Sequence, residues 1–458
     1  MPRLTRPARR PSDVVAIGAS LSGLFAAAAA ADAGCSVTLV ERDHLPRAAE
    51  PRRGVPQGRQ AHVLLHRGLL AAEQVVPGLE QAMVDVGAVR VNTGQLPWFG
   101  PYGWQPTSIP TYDVLSLTRP LLEHLVRERV LARPNVQVRE GVRVAGLHRH
   151  GPRWEVVGVD GPELGADLVV DASGRGSRMP HWLAELGCRV AEPEVVDASL
   201  GYACRLYRRP DGTPLPTGLV VQPTRQSPRG GLGLPVEHAG WLVAVNGYGD
   251  DRPERDGDLR AFAATLREPA LAEVVAGLEP VGDVAVHRQT GNVRHHYGRH
   301  RDWPEGLLVV GDALSAFNPI YGQGITVGAC QAAVLAEALG TRAWRSTRSL
   351  QRRLAAVADF PWAVATGEDR HYLPVPGPLP LGRRLTDAWL GQVGQLLVDG
   401  NPRAVVTFGR VYHLMASPRE LVHPALVLAA ARRRRRGRNT TAPPRPAVLA
   451  ELTGVPAA

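Results

Sequence analysis

The chain of 458 residues contains no lysine: all 53 of its basic residues are arginine. Set against 43 acidic residues, they leave a formal net charge of +10. A surplus of that size can mark a nucleic-acid partner. Here it accompanies 49 glycines, 40 prolines and long alanine stretches, the bias of a GC-rich genome. Much of the excess also sits at the two ends, in Arg3, Arg6, Arg9 and Arg10 and then in 432–436 and Arg438. No stripe of aromatic and basic residues lies between, so no nucleic-acid partner is expected. Cysteine is scarce. Cys35, Cys188, Cys204 and Cys330 include no C-x-x-C pair, which argues against a zinc or dithiol motif. Cys35 and Cys330 lie in apolar surroundings that suit reduced core thiols, the ordinary state in a cytoplasm.

Long apolar runs are missing as well. None reaches the roughly 18 uninterrupted residues of a membrane span. The basic start up to Arg10 and the Ala-rich run 14–31 have the outline of a signal peptide. But Gly18-Ala19-Ser20-Leu21-Ser22-Gly23 breaks the run, which then flows into Val37-Thr38-Leu39-Val40-Glu41. Cleavage there would cut a folding unit in half, so a cytoplasmic protein is expected. No G-x-S-x-G nucleophile elbow is found. His296 and His300 are four apart, but in the polar stretch RHHYGRH. A solvated loop is expected there, and no metal.

What is present begins with residues 14–17, a short apolar strand. Gly18 to Gly23 form a glycine turn, 24–33 a strong helix former, and Gly34 a stop. A second apolar strand, 37–40, ends in Glu41. Such a turn lets the backbone approach a pyrophosphate while the helix N-terminus faces it with its dipole. Glu41 lies where an acid accepts the ribose hydroxyls of an adenosine. Ser20 stands where the fingerprint has its middle glycine. The order of elements nevertheless predicts a dinucleotide-binding unit, with Gly18, Ser20, Gly23 and Glu41 at the ligand. The fingerprint does not say which dinucleotide.

More distant segments extend the pattern. Leu117-Thr118-Arg119-Pro120 opens a helix with an apolar face. Residues 136–138 and 142–144 alternate like half-buried strands. Residues 166–171 run into the turn Ala172-Ser173-Gly174-Arg175-Gly176-Ser177-Arg178. The stretch VVGDALSAFNPIYGQG (309–324) is again a strand ending in Gly-Asp, followed by glycines at the start of an Ala-rich helix.

Taken in order, GASLSG with Glu41-Arg42, VVDASGRGSR and VVGDALSAFNPIYGQG resemble the flavin-dependent monooxygenases that share the glutathione-reductase-type FAD domain. The likeness covers nearly the whole chain. The segment GVPQGRQAH (54–62) and NPIYGQG resemble more closely the bacterial epoxidases of polyether polyketides, such as those for lasalocid and monensin, cousins of squalene epoxidase. The resemblance implies FAD and O2, and delivery of one oxygen atom from a flavin C4a-hydroperoxide to a large, apolar natural product by epoxidation or hydroxylation. It implies that Gly311 and Asp312 meet the ribityl chain. Gly322 and Gly324 would bring backbone amides to the flavin pyrimidine edge, where reduced flavin carries negative charge. Arg42, Arg119 and the backbone of Val144 would contact FAD, and Arg59 would be the catalytic cation near the flavin. Asp171 and Arg178 would shape their turn. A flavin halogenase of this fold would need a lysine, which the chain lacks. A flavin reductase or dehydrogenase acting on a prenyl or polyketide C=C bond is the alternative. No second glycine-rich strand-turn-helix offers a nicotinamide site. NAD(P)H is therefore expected to dock transiently or to act through a separate flavin reductase.

The expected fold is α/β: a Rossmann-like FAD domain in three pieces (13–94, 114–190 and 285–345), with an inserted α+β substrate domain built on an antiparallel sheet (95–113 and 191–284). A helical region (346–436) follows. The ends, 1–12 and 437–458, are expected to be loose. Residues 420–431 are largely apolar and run into arginines. A packed helix with cations at its C-terminus is expected, ahead of one lying on an anionic membrane surface.

Overall fold

A computed structural model of the protein describes residues 11–159, 161, 163–255, 257–341, 343–374, 380–436 and 443–453. Five strands form a parallel sheet in the order Leu307–Val309, Leu168–Asp171, Asp13–Ile17, Ser36–Val40, Val136–Arg139. The inner strands are mostly Val, Leu and Ile, because a parallel sheet is covered on both faces. The helix Leu21–Asp32 buries ten of its twelve residues. It is apolar all round because it is packed all round, against the sheet and the helices Arg119–Leu131 and Gly324–Gly340. This order brings the ends of four strands, at Ile17, Val40, Asp171 and Val309, to one edge of the sheet. That edge is where ligands bind in open α/β folds.

A seven-stranded sheet stands beside this unit. Its order is Glu279–His287, Leu200–Arg208, Gly240–Tyr248, Arg229–Val236, Leu219–Val221, Trp98–Gly100, Gly103–Trp104. It is antiparallel except where Leu219–Val221 runs parallel to Trp98–Gly100. Side chains alternate between its faces. Ala203, Tyr207, Val243 and Val245 pack with the helices Leu259–Ala264 and Ala270–Ala276. Cys204, Leu242 and Ala244 pack on the other side with Ala61. The helices Thr347–Val357, Asp359–Asp369, Leu381–Val398, Pro402–Tyr412 and Pro424–Arg436 follow in the C-terminal part. No helix of the described residues is long and apolar enough to cross a membrane.

The chain ends differ from expectation. Residues 1–10, 437–442 and 454–458 lie outside the described residues. The Ser12 N–H donates to Asp167 Oδ2 at 2.7 Å. Residues 443–453, expected to be loose, pack against the seven-stranded unit. The short helix Val448–Thr453 buries Leu449 and Leu452 there, and Arg445 pairs with Glu268 and Glu273. Two leucines three apart give one helical turn an apolar face, a pattern that composition averaged over a Pro- and Ala-rich tail hides. Cys35 and Cys204 are buried, whereas Cys330 is only half-buried.

Candidate functional site

The glycine turn has no room for side chains. Gly18 has φ +99°, and a Cβ there would come within 2.6 Å of the Ala172 carbonyl oxygen. A Cβ at Gly23 would stand 1.8 Å from the Gly18 carbonyl oxygen. The helix that follows starts without a side-chain cap, so its first N–H groups point toward the turn as an anion site does. Ser20, at the middle-glycine position, puts its hydroxyl between two charges. It accepts from an Arg119 terminal nitrogen at 3.1 Å and donates to Glu123 Oε2 at 3.2 Å. Glu41 is buried and accepts the N–H groups of Ala19 (2.8 Å) and Asp43 (3.1 Å).

The sequence reading missed the centre of this cluster. Arg52 is buried among carboxylates, with Glu123 Oε1 at 2.9 Å, Asp43 Oδ2 at 3.0 Å and Glu41 Oε2 at 3.1 Å. Arg42, the arginine expected to contact the cofactor here, is exposed. Nothing in PRRG singles out Arg52. Its partners lie 71, 9 and 11 residues away and meet only in the fold. Arg119 is buried, and its Nε finds no partner among the described residues. Burial lowers its pKa, partly opposed by Glu123 and Asp312.

At the far end, Gly311 takes a left-handed turn (φ +60°) and its N–H donates to the buried Gln331 Oε1 at 2.7 Å. Gln351 holds Val309 through both its N–H and its C=O. Asp312 is thereby carried on a braced strand end. Arg175 approaches it at 3.9 Å while donating to the carbonyls of Gly291 and Phe317. Gly322, also left-handed, ends the turn Pro319–Tyr321. The helix Gly324–Gly340 then begins, again with no side-chain cap. Its start faces the acid: a Cβ on Gly324 would lie 3.7 Å from Asp312 Oδ1. Asp171 shapes its own turn by accepting from the Ser173 N–H and the hydroxyls of Ser173 and Ser177. Arg178 precedes the helix Met179–Glu185. Val144 is buried at the start of the strand Val144–His150.

The sheet side of the site is lined by buried side chains. Tyr202 is buried, its hydroxyl has no hydrogen-bond partner among the described residues, and burial raises its pKa far above the usual phenol range. His62 is held down to about 3 by burial and by the nearby Arg119 charge, so it stays neutral. His287 is shifted down too, chiefly by burial, and its ring lies 5.5 Å from that of Tyr202. Arg59 ends the turn Pro56–Arg59, which packs on the helix Arg119–Leu131 and the strand Glu279–His287. Its side chain is exposed and makes no ion pair among the described residues. His296 pairs with Glu194 at 3.4 Å. Among the described residues no group of three His, Cys, Asp or Glu is placed to hold a metal ion.

These residues fit a dinucleotide cofactor. Two uncapped helix starts, one over a bare glycine turn and one beside Asp312, lie along a single sheet edge with a buried acid at Glu41. Arg119 Nε and the buried Gln323 Oε1 are left without partners among the described residues, polar atoms of the kind a buried ligand satisfies.

Comparison with known proteins agrees. Residues 13–193 match the family described as FAD dependent oxidoreductase. Protein Rv3254 of Mycobacterium tuberculosis is 35% identical over 351 residues, covering 72% of this chain and 74% of that protein. Ubiquinone hydroxylase UbiL of Rhodospirillum rubrum is 27% identical over 357 residues, 73% of this chain and 74% of that one. Among solved structures, a flavoprotein/dehydrogenase from Cytophaga hutchinsonii superposes with a TM-score of 0.66 at 15% identity, over 93% of this chain and all of that one. The chain belongs to the FAD-dependent oxidoreductases.

Proposed function

We propose that the protein is an FAD-dependent monooxygenase that places one atom of O2 into a largely apolar natural product, by epoxidation or hydroxylation, in secondary metabolism. The observation that carries this is the approach of Asp312 to the uncapped start of Gly324–Gly340, with Ile320 of the preceding turn packed on buried Tyr202 of a sheet that also buries Cys204, Leu242 and Ala244. A negative charge is favoured at that helix start, and an apolar ligand is favoured against that wall. Support also comes from the likeness of GVPQGRQAH and NPIYGQG to polyether epoxidases, and from the relative named as a hydroxylase.

Bound and reduced, FAD supplies the activation of dioxygen; the protein binds, orients and keeps out water. In this reading Gly18, Ser20 and Gly23 receive the pyrophosphate, with Arg42 and Arg119 contributing charge. Glu41 accepts the adenosine ribose hydroxyls, and the Val144 backbone lies by the adenine. Gly311 and Asp312 take the ribityl chain, and Gly322 and Gly324 give amides to the pyrimidine edge. Arg59 is the catalytic cation, stabilising negative charge at the reacting oxygen. His62 stays neutral there and adds no second cation. NAD(P)H provides electrons, directly or through a separate flavin reductase.

The test begins with the visible spectrum of the purified protein. Turnover of polyene and prenylated substrates with NAD(P)H, with and without an added flavin reductase, then follows under labelled dioxygen. One labelled oxygen per product is expected. A product reduced or desaturated without label would overturn the proposal in favour of a C=C reductase or dehydrogenase.

A further inference from the structure

Asp369 is the last residue of the helix Asp359–Asp369, far in sequence from every motif above. It is 1% exposed, and its carboxylate collects donors from three directions. Asn318 Nδ2 donates to Oδ1 at 2.9 Å and to Oδ2 at 3.0 Å. The Tyr321 hydroxyl donates to Oδ1 at 2.9 Å, Asn292 Nδ2 to Oδ2 at 2.6 Å, and the Tyr248 hydroxyl to Oδ1 at 3.3 Å. No cation pairs with it among the described residues. A buried carboxylate satisfied only by neutral donors is costly unless every donor is held in place.

The donors belong to the two walls of the site. Asn318 and Tyr321 bracket the turn that delivers Gly322, Gln323 and Gly324. Asn318 is fixed on every side: its N–H donates to Asn292 Oδ1 at 2.8 Å and its Oδ1 accepts from the Ile320 N–H at 3.2 Å. Tyr248 ends the strand Gly240–Tyr248 of the seven-stranded sheet and stacks on Tyr372, with ring centroids 3.6 Å apart.

We propose that Asp369 is a positioning residue for the flavin. It holds the Asn318–Tyr321 turn, and with it the helix start at Gly324, against the pyrimidine edge, and it locks that turn to the substrate-side sheet through Tyr248. The C-terminal helical region thereby tunes a cofactor that none of its residues is assigned to touch. This assignment rests on the FAD reading above.

The test compares the parent with Asp369→Asn, which keeps the size but turns an NH2 toward donors. FAD affinity is measured by titrating FAD into stripped protein, alongside the visible spectrum of the bound flavin and its midpoint potential. Loss of charged-group hydrogen bonds of this kind corresponds to weakening FAD by about tenfold or more. The flavin bands should shift and the potential should fall, because the helix start no longer sits squarely by the reduced ring. A lowered melting temperature with parental FAD affinity, spectrum and potential would show a purely structural role and overturn the proposal. Should Asp369→Asn fail to fold, Tyr321→Phe removes a single donor from the turn. It should weaken FAD a few-fold and move the potential the same way, and an unchanged flavin in that variant would overturn the proposal equally. The parent is titrated first. A parent that binds no FAD sinks the function itself, which is distinct from a parent that binds FAD with variants that behave like it.

Discussion

The Arg52 guanidinium and the Glu41 carboxylate meet at 3.1 Å with both side chains only 6% exposed. Arg52 also holds Glu123 and Asp43, so one guanidinium contacts three acids beside the glycine turn, and Arg119 shares Glu123 at 3.5 Å. Burial works to lower its pKa, but Glu123 and Glu41 outweigh that and raise it. Removing one partner of a buried pair leaves an uncompensated charge, which typically costs about 3–5 kcal/mol. Arg52→Ala should therefore lose stability on that scale in urea unfolding, and should lose FAD with it. A loss below about 1 kcal/mol would mean that water already screens the cluster.

Gly23 and Gly34 separate steric need from backbone need. An added Cβ at Gly23 meets a carbonyl oxygen at 1.8 Å, a backbone atom that has no rotamer to escape into. At Gly34 (φ +85°) nothing lies within 4 Å, so only the left-handed backbone resists, at about 1–2 kcal/mol. Gly23→Ala should purify without flavin or not at all. Gly34→Ala should remain yellow and melt a few degrees lower. Equal flavin content in the two variants would contradict the packing of the turn.

Much of this was legible in the chain. The fingerprint strand, its helix and Glu41 are contiguous, and each announces itself locally through apolar runs, glycines and a terminal acid. The stretch 309–324 announces itself in the same way. Arg52, Glu123, Gln331 and Asp369 do not, because their roles depend on partners up to 121 residues away. A buried ion cluster leaves no periodicity. Arg52 was indistinguishable from Arg42 or Arg59 in a chain with 53 arginines, although of the three only Arg52 is buried among the acids. The packed helix at 448–453 was hidden because two leucines decide it.

Asp312 tests the flavin assignment most directly. Its carboxylate lies beside the start of Gly324–Gly340, where an acid with no ligand to bind works with the helix dipole and gains little else. Asp312→Ala removes an acceptor placed for ribityl hydroxyls while leaving Gly311 held by Gln331. The variant should fold, with unfolding within about 1 kcal/mol of the parent, and purify with little or no FAD. Full flavin content would mean that the ribityl chain is held elsewhere.

His413 makes acid stability readable at one residue. It is fully buried at the end of the helix Pro402–Tyr412. Its Nδ1 accepts the His66 N–H at 3.1 Å, so Nε2 carries the proton and donates to the Thr93 hydroxyl at 2.8 Å. Burial, with some help from His66, lowers its pKa from 6.5 to about 4. Between those values the unfolded chain binds a proton that the folded one refuses. Stability from this site is thus complete above pH 6.5 and is lost as pH falls toward 4, by up to about 1.4 kcal/mol per unit. His62 acts with the same sign over a window reaching down to about 3. Asp171 and Asp369 oppose them: burial raises both carboxyls, so their contribution is lost as pH rises through the shifted values. The net slope mixes these signs, but the difference made by one residue does not. His413→Asn keeps an acceptor for His66 and has no proton to take up. Its urea midpoints should lie below the parent's at pH 8 and converge on them toward pH 4.5. Parallel curves for the two proteins across that range would show that His413 titrates normally and that water reaches the contact between this helix and the one carrying His66.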